Sequence, residues 1–281
     1  MGKKKKTESL NLKNPKQLNL IHTFAISEGR LSKEQIFSQS NKEIFYRMKN
    51  NGYIKETTKG SGIFKATGKL QALAKKTEGI QFSIGCSSKH SAKITKVVSY
   101  LPSDVIGEGR FASGQVLKQE MSAYKQTDNY QRKIAQMQKA VLRECKQMEN
   151  DYQRRRMNAG SKAELYQAGI DYKADKAEIQ MRQDILFSEN PLYIPDFKVS
   201  VDREEAEELL QNIQAAMGEM EQGKEYDFLE QNVGKLEGML QTGQQTFELY
   251  FEIITDSYGK RELEMHRNYE QVMEREVLYI Y

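Results

Sequence analysis

The chain has 281 residues, of which 29% are charged and 38% hydrophobic, and its mean hydropathy is -0.75. No stretch approaches the roughly 18 apolar residues that a transmembrane helix needs, so the composition excludes a membrane-spanning protein and indicates long exposed helices. Cys86 and Cys145 lie far apart without CxxC spacing, which indicates a reducing compartment and no structural metal site. The basic start, Met1 to Lys6, leads into no apolar signal segment, so we expect a cytoplasmic protein.

Charge is unevenly distributed along the chain. Residues 1–80 hold 17 lysines and arginines against 6 aspartates and glutamates, whereas residues 161–281 hold 12 against 26. An asymmetry of this size predicts that the first part of the chain meets a polyanion and that the last part does not. Lysine-rich helical proteins also show such a balance without binding nucleic acid, so charge alone leaves both interpretations open.

Three short helices are predicted after a flexible basic arm over residues 1–14. Pro15 occupies a favourable first helical position. Two stretches, Ser32 to Gln35 and Ser40 to Glu43, have the form of capping boxes, and each opens a further helix. The third helix is expected to end at Asn51-Gly52.

The next stretch, NNGYIKETTKGSGIFKATGK, predicts a β-hairpin around the Gly60-Ser61-Gly62 turn. Three helices followed by such a hairpin are the plan of a winged helix, so residues 15–80 are predicted to form a winged-helix DNA-binding domain. The candidate DNA contacts lie on the outward face of the third helix and on the hairpin: Asn41, Lys42, Arg47, Lys49, Lys59, Ser61 and Lys65. Winged helices also bind proteins or dimerise, and these alternatives stay open.

Residues 81–281 are predicted to form a helix-rich α/β domain, so the expected fold class is α+β. His90, at the start of a helix, is interpreted as a cap or a packed side chain. Long helices are expected over residues 115–188, and strands near 192–201 and 245–256, where aromatic and β-branched residues concentrate. One apolar stripe at helical spacing indicates a core or a partner-helix seam: Ile134, Met137, Val141, Cys145 and Met148.

The end of the chain is predicted to alternate strands and helices. Asp202 caps an acidic helix, a second helix follows, and a closing helix over residues 261–277 precedes a last strand in VLYIY. Alternating β and α elements point to an α/β domain behind the winged helix.

Four features occur in a fixed order: the winged-helix pattern, then IGEGR, then IPDF, then YFEIITDSYGKRELEMHRNYEQV. This order resembles the replication-relaxation proteins of plasmids and integrative elements from Gram-positive bacteria, and it covers most of the chain. The resemblance implies a rear domain like a degenerate PD-(D/E)XK nuclease core and a role in plasmid mobilisation or replication. It makes Glu108, Asp196 and Glu252 the candidate catalytic residues, with Asp196 and Glu252 as ligands of Mg²⁺.

Carboxylates that converge at strand ends suit a hard Mg²⁺ ion, which could polarise a phosphodiester. Such nucleases carry a lysine two residues after the strand acid, where this chain has Ile254, and a later lysine is replaced by His266. These departures favour a non-enzymatic protein with no cofactor. Asp196 could equally be an exposed turn residue, and Glu252 a strand-edge residue that aids solubility.

Three functional hypotheses follow. The first is a DNA-binding accessory protein of a mobile genetic element, which contacts duplex DNA and works with transfer or replication proteins; the apolar stripe also allows a homodimer. The second is a metal-dependent DNA nicking enzyme. The third is a protein-interaction or host-defence-inhibiting protein that uses acidic helices, such as Glu204 to Glu221, to mimic nucleic acid or to grip a basic partner.

Overall fold

The computed structural model describes Leu10, Phe82 and residues 12–80, 88–255 and 258–281. The described chain is α+β, with many helices and two small sheets. It divides into two compact units. Unit 1 comprises Met1–Gln119, Pro195–Thr255 and Glu276–Tyr281, and unit 2 comprises Glu120–Ile194 and Asp256–Arg275. Most of the arm predicted over residues 1–14 lies outside the described residues.

The helices, in chain order, are α1 (Pro15–Ile26), α2 (Lys33–Gln39), α3 (Lys42–Asn50), α4 (Gly68–Glu78), α5 (Ser88–Tyr100), α6 (Ser103–Gly107), α7 (Gly114–Tyr124), α8 (Asp128–Asn158), α9 (Lys162–Leu186), α10 (Arg203–Gly218), α11 (Lys224–Leu240) and α12 (Lys260–Met273). The strands are β1 (Arg30–Ser32), β2 (Ile54–Glu56), β3 (Ile63–Ala66), β4 (Phe111–Ser113), β5 (Phe197–Asp202), β6 (Thr246–Ile253) and β7 (Val277–Ile280). Within the described part of the chain, no helix combines the length and the apolar character that crossing a membrane requires.

The first two helices begin where the sequence predicts them. Asn14 caps α1, because its Oδ1 accepts a hydrogen bond from the Lys16 N–H at 3.0 Å, and Pro15 is the first helical residue. Ser32 and Gln35 form a reciprocal capping box at the start of α2. Local capping chemistry therefore sets both helix starts.

The start of α3 differs by one residue from the predicted capping box. Asn41, rather than Ser40, is the cap, and its Oδ1 accepts from the Ile44 N–H at 2.9 Å. The Ser40 hydroxyl instead donates to the Ile36 carbonyl at 2.7 Å and so closes the preceding helix. Ser40 thus ends α2, and its neighbour Asn41 starts α3.

The first sheet has the order β1-β3-β2 and is antiparallel throughout. It contains the predicted hairpin, in which Gly60 and Gly62 adopt φ values of 81° and 66°, a region that favours glycine. The three-residue strand β1 was not predicted. The buried face of this sheet and the neighbouring helices share one core, which includes Leu20, Ile21, Phe24, Leu31, Ile36, Phe45, Met48, Ile54, Phe64 and Leu70.

The second sheet has the order β4-β5-β6-β7. The pairs β4–β5 and β5–β6 are antiparallel, and β6–β7 is parallel. Strands β6 and β7 lie where strands are predicted near 245–256 and in VLYIY, whereas the strand predicted near 192–201 begins only at Phe197, as β5. Phe197, Val199 and Val201 point inward at every second residue of β5, and they pack in a core with residues of α5, α6, α10 and α11.

The predicted boundary at residue 80 does not coincide with the limits of the two units. Ile26, at the end of α1, is fully buried in the core of the second sheet. The Nδ1 atom of His22 lies 2.7 Å from the Ile106 carbonyl oxygen, and β4 pairs with β5. These contacts join residues 15–80 to the second sheet within unit 1, whereas residues 120–194 belong to unit 2.

Unit 2 is built on the long helices α8 and α9. The predicted apolar stripe of α8 is buried or half-buried, with Ile134 and Val141 the most enclosed of its members. Arg182 on α9 lies 2.6 Å from Glu144 on α8 and 3.1 Å from Glu264 on α12. Arg182 therefore links α9 to both α8 and α12 through ion pairs.

Acid should destabilise unit 1 partly through Glu205. A hydrogen bond from Arg110 holds the pKa of this carboxyl below its usual range. The ionised carboxylate therefore adds to the free energy of unfolding above the unfolded-state pKa of about 4.3, and this stabilisation is lost as the pH falls through the folded pKa. We expect Glu205→Gln to flatten the loss of stability between about pH 5 and pH 3, measured by urea unfolding. Glu204→Gln removes a charge from the neighbouring exposed position and should retain the wild-type slope.

Candidate functional site

The outward face of α3 carries Lys42, Tyr46 and Lys49. These residues are four and three positions apart and therefore lie on one side of the helix. The opposite side is buried in the core. Tyr46 is 50% exposed, which is unusual for so large a side chain, and sequence reasoning missed it. Its spacing from the two lysines is the signal that could have found it.

The other two predicted contacts on this helix serve the helix itself. Asn41 caps α3. Arg47 lies 2.8 Å from Glu43, and its side chain is only 21% exposed. Lys42 and Lys49, in contrast, make no ion pair within the described residues, and Lys49 Nζ lies 5.5 Å from the ring centroid of Phe64. Lys42 and Lys49 are therefore the available charges of α3.

A row of cations crosses the first sheet. Arg30 on β1 is the cross-strand partner of Lys65 on β3, and Lys65 is the partner of Lys55 on β2. Cross-strand partners lie on the same face, with Cβ atoms about 5 Å apart, and like charges placed directly opposite each other are destabilising. No acid pairs with the three cations within the described residues. Repulsion within this row lowers the stability of the isolated protein, and an anionic partner would relieve that repulsion.

The hairpin tip carries the remaining predicted contacts. Lys59 is exposed beside Gly60. The Ser61 hydroxyl lies 3.2 Å from the Thr57 hydroxyl and so helps to order the turn. We use the name cationic face for the following set: Arg30, Lys42, Tyr46, Lys49, Lys55, Lys59 and Lys65.

A second group of polar side chains gathers where β5 begins. Glu28 lies in the turn between α1 and β1, His90 in the first turn of α5, and Asp196 directly before β5. One ligand atom from each lies within 4.8 Å of the other two, and His90 Nε2 is 3.3 Å from Asp196 Oδ1. We call these three residues the carboxylate–histidine cluster. Sequence reasoning treated His90 as a cap or a packed side chain and did not single out Glu28.

The backbone fixes Asp196. Its N–H donates to the Phe251 carbonyl at 2.9 Å, and its Oδ2 accepts from the Ile253 N–H at 2.9 Å. This leaves Oδ1 facing His90. Gly114, at the start of α7, packs so closely that an added Cβ would lie 2.7 Å from the Asp196 carbonyl oxygen, a separation that real contacts do not show. Only glycine permits this approach.

Glu252, on β6, adjoins the cluster through Asp196. It is 2% exposed, and burial raises the pKa of its carboxyl well above the usual range; the negative charge of Asp196 raises that pKa further. Burial also disfavours protonation of His90, but the hydrogen bond to Asp196 and the charges of Asp196 and Glu28 outweigh it and raise the pKa of the imidazole. Three acids and one histidine are thus electrostatically coupled.

Glu108 is not a member of this cluster. It forms an ion pair with Arg110 at 3.0 Å, and Arg110 also binds Glu205. The Arg110 carbonyl accepts from the N–H of Ser200, which lies four residues beyond Asp196, or about 13 Å along a strand. Of the three acids that the resemblance implies, the structure brings Asp196 and Glu252 together and holds Glu108 toward the other end of β5.

The two groups differ in what they can do. The cationic face offers a polyanion charge that no acid among the described residues neutralises, and the carboxylate–histidine cluster offers oxygen and nitrogen donors to a cation. Comparisons of the chain with protein-family models, curated proteins and solved structures find no match.

Glu252→Gln should change how stability depends on pH. Because the folded pKa of Glu252 is raised, the folded state holds a proton that the unfolded chain releases near pH 4.3, so the free energy of unfolding should fall as the pH rises from about 4.3 through the folded pKa. In Glu252→Gln this fall should be reduced, as measured by urea unfolding between about pH 5 and pH 8. Glu108→Gln serves as the control, and an unchanged slope in Glu252→Gln would contradict the expectation.

Proposed function

We propose that the protein binds duplex DNA through its cationic face. In this proposal, α1, α2 and α3 with the β1-β3-β2 sheet form a winged helix, in which α3 enters the major groove and the β2–β3 hairpin is the wing. The element order supports it, because a strand between the first two helices pairs with the hairpin.

The charge of the cationic face, which has no ion-pair partner within the described ranges, carries the proposal. Lysine and arginine side chains that contact phosphates release condensed counterions, which supplies much of the affinity of DNA-binding proteins. A cation that is already paired with an acid, as Arg47 is with Glu43, contributes less to the affinity for DNA. Tyr46 lies between Lys42 and Lys49 and offers a hydroxyl of the kind that contacts phosphates.

We further propose that this DNA belongs to a mobile genetic element. The resemblance to the replication-relaxation proteins supports this part of the proposal. The protein would then act in the cytoplasm as an accessory of plasmid replication or mobilisation, together with transfer or replication proteins.

Fluorescence anisotropy with a labelled duplex, measured over a range of NaCl concentrations, tests the DNA contacts. The variants are Lys42→Ala/Lys49→Ala and Lys55→Ala/Lys65→Ala, each of which removes two charges. We expect each to weaken binding at low salt and to reduce the magnitude of the slope of log K against log [salt] by about two, since one phosphate contact contributes about one.

The matched control is Lys162→Ala/Lys173→Ala, which removes two exposed charges from α9 in unit 2. It should leave both the affinity and the slope unchanged. No binding by the wild-type protein at low salt, or equal losses in all three double variants, would overturn the proposal. Capture of a basic protein in place of DNA would favour the protein-interaction hypothesis.

The contact between Asp196 and Glu252 favours metal-dependent DNA nicking as a second candidate function. In this candidate the second sheet is a degenerate PD-(D/E)XK core. The charge of Lys118 acts on Glu252, so α7 supplies a cation near the strand acid, although Ile254 occupies the position two residues after it. A bound Mg²⁺ or Mn²⁺ ion would polarise the phosphodiester.

Incubation of supercoiled plasmid with the protein and either Mg²⁺ or Mn²⁺ tests the second candidate. We expect nicked circles with the wild type and none with Asp196→Asn, because that change removes one anionic metal ligand. Glu108→Gln should nick like the wild type, since Glu108 pairs with Arg110 outside the cluster. Absence of nicking with both metals rejects this candidate and leaves DNA binding untouched.

A further inference from the structure

We propose that Glu28, His90 and Asp196 bind one divalent transition-metal ion of the Mn²⁺ or Zn²⁺ class. The inference requires neither DNA binding nor DNA cleavage. It assigns a ligand to three residues that come from three separate segments of unit 1.

The interatomic distances fit a shared ion. Two ligands bonded to one metal at about 2.1 Å, with an angle between about 90° and 110°, lie about 3.0–3.4 Å apart. The separation between His90 Nε2 and Asp196 Oδ1 is 3.3 Å. The ligand atom of Glu28 lies within 4.8 Å of both, so the three donor atoms surround one small volume.

The donors are held in place and remain accessible. The Asp196 carboxylate is anchored through Oδ2 to the Ile253 N–H, so Oδ1 keeps a fixed direction. The side chains of His90 and Asp196 are 19% and 17% exposed, which leaves an open side for water ligands. Two carboxylates and one neutral imidazole carry two negative charges, which balance the charge of a dication.

The mixed donor set indicates the class of ion. Imidazole nitrogen suits Zn²⁺, Fe²⁺, Ni²⁺ and Cu²⁺, whereas carboxylate oxygen also suits Mn²⁺. Mg²⁺ prefers oxygen ligands and gives up water reluctantly. A site with one imidazole among three protein ligands should therefore prefer a transition-metal ion to Mg²⁺.

Metal binding to the full-length, tag-free protein after chelator treatment tests the proposal. Isothermal titration calorimetry with Mn²⁺, Zn²⁺ and Mg²⁺ should give one site per chain, with Mg²⁺ at least about tenfold weaker. Pulsed electron paramagnetic resonance of the Mn²⁺ complex should show coupling to an imidazole ¹⁴N nucleus. Bound metal should also raise the melting temperature, because the ion binds the folded chain alone.

The variants Glu28→Gln and His90→Gln should each weaken Mn²⁺ binding by at least about tenfold, and His90→Gln should abolish the ¹⁴N coupling. Glu108→Gln is the matched control and should bind like the wild type. If His90→Gln does not fold, Glu28→Gln decides the matter, since Glu28 lies in a turn. Absence of a stoichiometric site, equal affinity for Mg²⁺, or unchanged affinity in Glu28→Gln would overturn the proposal.

Discussion

The Asp196 carboxylate is the interaction on which the second sheet and its polar cluster both depend. One of its oxygens satisfies the Ile253 N–H at the point where β5 approaches β6, and a buried N–H without a partner would cost about 1–3 kcal/mol. The other oxygen faces His90. Gly114 also packs closely against the backbone carbonyl of the same residue. The hydrogen bond that satisfies the Ile253 N–H thus also fixes the direction of Asp196 Oδ1, the oxygen that can bind a cation.

Several cations outside the cationic face are paired with acids. Arg110 pairs with Glu205, Arg182 with Glu144 and Glu264, and Lys133 with Glu274. These pairs neutralise the three cations that they contain. The row across the first sheet and the outward lysines of α3 have no such acids among the described residues. The excess of basic residues in the first eighty positions therefore gives this surface a positive electrostatic potential, which would attract a polyanion.

Local signals in the sequence predicted local structure well. The helix starts at Pro15 and Ser32, the glycine turn and the aromatic strand β6 were predictable, because each depends on residues close together in the chain. The three-residue strands β1 and β4 were not, since so short a strand has almost no periodicity and forms only by pairing with distant partners. Glu28, His90 and Asp196 likewise meet through the tertiary fold alone, and no spacing in the sequence relates them.

The turn that carries Glu28 also connects the two candidate sites. Glu28 and Gly29 have φ values of 47° and 80°, and the Gly29 carbonyl accepts a hydrogen bond from the Ala66 N–H, next to Lys65. Arg30 follows directly and begins the row of cations. An ion that held Glu28 against His90 and Asp196 would therefore order the backbone that sets the position of Arg30. Any resulting coupling must be reciprocal: if metal binding strengthens DNA binding by some factor, DNA strengthens metal binding by the same factor.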